Sequence, residues 1–114
     1  MSVLDVRQKW TDALTSGKYV QGKDSLRTGN TFCCLGVLCD LYAEENPDTS
    51  WDDEDMFVYA EDARVNDLAP FSVANWAGIT QAQMSSLAEA NDGGESFEHI
   101  AASIADMPIS VPIA

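Results

Sequence analysis

A chain of 114 residues, 46% of them hydrophobic, has material for one domain with a single modest core. Its formal net charge of −13 repels phosphate backbones, which argues against direct binding of DNA or RNA. No run approaches the ~18 apolar residues of a membrane span, and Met1-Ser2-Val3-Leu4-Asp5-Val6-Arg7 lacks the pattern of a signal peptide, so a cytoplasmic location is expected.

The first predicted element is a helix over residues 3–16. Ser2 is its cap, Asp5 a capping-box partner, and Gly17 its stop. Val3, Val6, Trp10 and Leu14 share one face. Residues 18–31 read as a short hairpin or ordered loop anchored by Tyr19, Val20 and Leu26. The run Phe32-Cys33-Cys34-Leu35-Gly36-Val37-Leu38-Cys39-Asp40-Leu41-Tyr42 follows, apolar nearly all round. It is predicted as the start of a central buried helix over residues 32–45, with a buried strand as the competing reading. Gly36 weakens a helix by about 1 kcal/mol against alanine, so it predicts a neighbour packed on bare backbone.

Residues 46–69 are irregular and acidic. Within them Met56-Phe57-Val58-Tyr59 is expected as a strand pairing with the 18–28 hairpin. Pro70 suits the first residue of a short helix reaching Trp76. Thr80 and Gln83 form a capping box, with Ile79 and Met84 as the hydrophobic staple, for a helix that stops at Asn91-Asp92-Gly93-Gly94. Ser96 caps a last helix whose buried face is Phe97, Ile100, Ala101 and Ile104, ending before Pro108. The tail from Ile109 to Ala114 is expected to run extended. The chain therefore reads as a single α+β domain over residues 1–114. A central buried helix is packed by three to four others and by a small two- or three-stranded antiparallel sheet, an all-helical fold being the main alternative.

Charge is unevenly shared. Residues 1–39 hold five cations against three carboxylates, while residues 40–114 hold Arg64 alone against sixteen. Such a surface suits a basic partner. Asp52, Asp53, Glu54 and Asp55 are the densest acidic run, and Trp51, Phe57 and Tyr59 beside them are candidate apolar anchors for that partner. Lys18, Lys23 and Arg27 precede the cysteine helix in a glycine-containing loop, a candidate site for a small anionic ligand such as a nucleotide. The ordinary alternative is that these cations pair with the abundant carboxylates.

The three cysteines crowd into seven positions and read as reduced thiols, since adjacent Cys33 and Cys34 are poor disulfide partners. Cys34 at a helix start and His99, the sole imidazole, are the candidate nucleophile and base of a cysteine-dependent enzyme, similar to papain-like and cell-wall cysteine peptidases. The commoner role of such cysteines is core packing. No Cys-x-x-Cys spacing or EF-hand pattern is present, so neither metal nor cofactor is predicted. The last two helices superficially suggest a helix-turn-helix, but the second lacks any Lys or Arg.

Two blocks resemble a family of small proteins found chiefly in bacteriophage and prophage genomes. One is Trp10 to Leu41, with Ser16-Gly17-Lys18-Tyr19, Gln21-Gly22 and the cysteine run. The other is Leu87, Asn91-Asp92-Gly93-Gly94, Ser96-Phe97, Ile100-Ala101 and Ile104. The resemblance spans about residues 1–42 and 76–105. It implies a phage accessory protein that acts by binding a host or defence component, and it implies no reaction. The leading expectation is thus a non-enzymatic protein that meets a basic host protein through its acidic surface, with nucleic-acid mimicry as one form of that contact.

Overall fold

The computed structural model describes residues 2–61 and 63–109, leaving the predicted extended tail largely outside the described residues. Its first helix, α1 (Val3–Thr15), begins as the capping signals require. Ser2 Oγ accepts from the Asp5 N–H, and the Asp5 carboxylate accepts from the Ser2 N–H. Gly17 follows with φ +81, which a side chain would strain.

Three two-residue strands come next: β1 (Val20–Gln21), β2 (Arg27–Thr28) and β3 (Thr31–Phe32). They form one sheet in the order β1-β3-β2, with β1 parallel and β2 antiparallel to β3. The cysteine run then forms α2 (Cys34–Glu45), resolving the helix-or-strand ambiguity. Phe32 and Cys33 lie before it, Cys33 serving as its cap.

A second sheet is built from β4 (Ser50–Trp51), β5 (Phe57–Ala60) and β6 (Ala63–Val65), all antiparallel. This corrects the expected pairing of 56–59 with the 18–28 segment. Trp51 pairs with Phe57 across β4 and β5, and their rings meet edge to face with centroids 5.2 Å apart. That local pair buries Phe57 completely, at less loop-closure cost than a distant strand would carry. The two sheets still touch: the Leu26 N–H donates to the Asn66 carbonyl at 2.7 Å.

The remaining helices are α3 (Phe71–Ala77), α4 (Gln81–Asp92) and α5 (Phe97–Asp106). Pro70 is the N-cap of α3 rather than its first residue, and Gly78 closes that helix in the left-handed region. The Thr80–Gln83 capping box forms in full, and Ser96 caps α5 through the His99 N–H. The predicted apolar face of α5 is the buried one.

Helix α2 is the centre, touched by α1, α3, α4 and β3. Every residue from Cys34 to Cys39 is buried. Gly36 is there because a Cβ would collide with the Leu26 carbonyl oxygen, itself held by the Cys33 N–H at 3.1 Å. Trp10 on α1 is fully buried and donates its indole N–H to the Cys34 carbonyl at 2.9 Å.

Candidate functional site

The acidic run at 52–55 is a folded turn. One oxygen of Asp52 accepts from the Glu54 and Met56 N–H groups, at 2.9 and 3.0 Å, and the other accepts from Arg64 at 2.6 Å. The Arg64 bond, with the backbone donors behind it, holds the Asp52 carboxyl below its ordinary value. Asp55 sits at φ +61, accepts from the Gly29 N–H at 2.9 Å and lies 3.6 Å from Arg27. Two of the four acids therefore close the loop and tie it to the first sheet. Asp53 and Glu54 face solvent.

Of the expected partner anchors, Phe57 is fully buried, so it meets no partner, and Trp51 and Tyr59 are half-buried against the core. The Trp51 indole N–H donates to Asp40 at 3.1 Å, and its ring meets those of Phe32 and Phe57 edge to face. Asp40 also accepts from the Tyr19 hydroxyl at 2.6 Å. Burial, and then that bond to a carboxylate, raise the Tyr19 pKa from its ordinary 10.0.

The three cations proposed for an anion are not gathered into one pocket. Lys18 lies 3.7 Å from Glu44 and over the Tyr19 ring. Arg27 lies beside Asp55 and over the Phe32 and Trp51 rings. Lys23 is exposed near Gly94. The start of α2 is already satisfied from within, since the Cys33 sulfur accepts from the Gly36 N–H and Asn91 Oδ1 accepts from the Cys34 N–H.

Cys34 and His99 are also kept apart. Cys34 is fully enclosed, its thiol 3.6 Å from the Leu87 carbonyl. His99 stands exposed on α5 with Glu95 3.5 Å from its Nδ1. All three cysteines are free and buried, and burial above all pushes each thiol pKa up from 9.0. A catalytic thiol needs the opposite shift. Among the described residues no group of His, Cys, Asp and Glu side chains converges as a metal site requires. No described helix is long and apolar enough to cross a membrane.

Two polar residues organise the molecule in ways the sequence does not assign, where Asn91 reads as a helix stop and a candidate partner of His99. Asn91 is fully buried at the end of α4. Its Oδ1 accepts from Gln21 at 3.0 Å and from the Cys34 N–H at 3.2 Å, while its Nδ2 donates to the Gly22 carbonyl at 2.7 Å. Next to it, Asp92 accepts from the Asp24 N–H at 2.8 Å. Arg7 is buried, with no carboxylate partner among the described residues. Its guanidinium donates to five carbonyls: Ala77 and Gly78 at the end of α3, and Ile104, Met107 and Pro108 at the end of α5. Both helices direct the negative ends of their dipoles at that charge. The signal for each was register: Arg7 falls four residues after Val3 and three before Trp10, and Asn91 falls four after Leu87.

The fold and these contacts define a small α+β domain whose thiol-rich segment is sealed and whose carboxylates lie outside. The chain belongs to a family described as a domain of unknown function (DUF8296), matched over residues 3–107. No curated protein and no solved structure matches it.

Proposed function

We propose that this is a non-enzymatic binding protein that engages a basic protein through its acidic exterior. The observation that carries the reading is the way charges are spent. Lys9, Lys18, Arg27 and Arg64 all lie against carboxylates, and Arg7 is enclosed by carbonyls. Asp53, Glu54, Asp67, Glu89, Glu98 and Asp106 are exposed with no ion pair among the described residues. The negative field is therefore left for something outside the chain. The resemblance of the cysteine block to phage and prophage proteins supports reading the molecule as a phage accessory protein and its partner as a host or defence component. Carboxylates standing where backbone phosphates would be account for the sign of that surface.

The test is capture from host extract on immobilised protein, followed by a salt titration of purified target. A single basic target is expected, with affinity that falls steeply as salt rises. An affinity indifferent to salt contradicts the reading.

A further inference from the structure

The most exposed large apolar side chain among the described residues is neither in the acidic turn nor near the cysteines. It is Phe71, at the start of α3, with 76% of its surface open to solvent. Phe71 borders a groove of about 410 Å³ between β6, α3 and the start of α4, within the size range of ligand and anchor pockets. Val65, Leu68, Ile79 and Met84 give the groove its apolar lining. The one charged residue in its wall is Asp67. No Lys or Arg occurs anywhere in residues 65–109. Arg64, the nearest cation in sequence, is turned to Asp52.

We propose that this groove is the docking site for an amphipathic helical segment of a partner protein, with apolar anchors on one face and Lys or Arg on its flanks. The proposal rests on the binding function above and assigns it a place. Charge complementarity selects the occupant. An apolar face seated beside Phe71 brings its flanking cations toward Asp67, and the described groove wall holds no cation to oppose them. A second copy of the chain would set −13 against −13. An anionic lipid surface meets the same repulsion. The partner's apolar residues provide the binding energy and its cations the steering.

The experiment uses fluorescence anisotropy with a labelled leucine–lysine peptide whose leucines recur at i, i+3, i+4 and i+7. A scrambled peptide of the same composition and a leucine–glutamate peptide of the same pattern are the controls. Phe71→Ser alters an exposed side chain and leaves the core intact. The patterned lysine peptide should bind the native protein. Phe71→Ser should weaken it by about tenfold or more, while Val20→Ser, at an exposed apolar residue that does not line the groove, should have a much smaller effect. Methyl resonances of Val65, Ile79 and Met84 should shift on binding. Equal affinity for Phe71→Ser and native protein overturns the proposal, as does equal binding of the glutamate peptide. If patterned and scrambled lysine peptides bind alike and salt removes both, the groove assignment fails while the acidic-exterior reading stands. If no lysine peptide binds even at low salt, both fail.

Discussion

At the scale of single residues, Gly36, Arg7 and the three thiols make the sharpest demands. Gly36→Ala drives a methyl group into the Leu26 backbone, which has no room to yield because Cys33 holds it. The expected loss is about 2–3 kcal/mol by urea unfolding, against the ~1 kcal/mol gain that helix propensity alone would give. A stabilised Gly36→Ala protein would contradict the packing described. Arg7→Met leaves five carbonyls at two helix ends without their donor. About 3 kcal/mol should be lost, and Arg7→Lys should recover little, because one ammonium cannot span both helix ends. The thiols set a pH limit. Their folded pKa values lie above 9.0, so above that pH the unfolded chain releases protons that the folded chain keeps. Stability is then fully present below pH 9.0 and declines as pH rises, with Tyr19 adding to the fall above 10.0. A urea midpoint unchanged up to about pH 11 would oppose this.

At the scale of elements, α1, α4 and α5 were legible because each announces its own start, whereas α2 has Cys33 and α3 has Pro70 at the cap, neither of them a cap that the sequence shows. Ser2, Thr80 with Gln83, and Ser96 cap as their side-chain chemistry requires. Thr80→Ala should therefore cost about 1 kcal/mol. The sheets were less legible. Strands of two residues carry no alternation to read, and the expected single antiparallel sheet proved to be two sheets, one with a parallel pair. The Asn91 junction was illegible for another reason. Its sequence, Asn91-Asp92-Gly93-Gly94, reads equally well as a helix stop, and only the arrival of Gln21 and Gly22 turns it into a junction. Asn91→Ala should separate the 21–24 loop from α4. A cost of about 2 kcal/mol, with faster hydrogen exchange at the Cys34 amide, is expected; unchanged exchange there would place the junction elsewhere.

At the scale of the whole molecule, the thiol-rich segment lies inside and most of the described carboxylates lie outside. The residues of the cysteine block, and Asn91 with them, lie largely inside: Trp10 and Cys34 bond each other, Gly36 meets Leu26, and Asn91 joins α4 to Cys34. The acidic turn was legible as an acidic surface, but Asp52 and Asp55 spend their charge on folding it. The exposed Phe71 was not legible, because a sequence does not say which side of a short helix its neighbours leave open. We propose that recognition happens at the negative exterior while the cysteine helix only supports it. The most direct measurement is the salt dependence of partner affinity for the native protein and for a Glu54→Gln, Asp67→Asn, Glu98→Gln variant, all three residues being exposed. The account predicts weaker binding and a shallower salt slope for the variant; native affinity with an unchanged slope would contradict it.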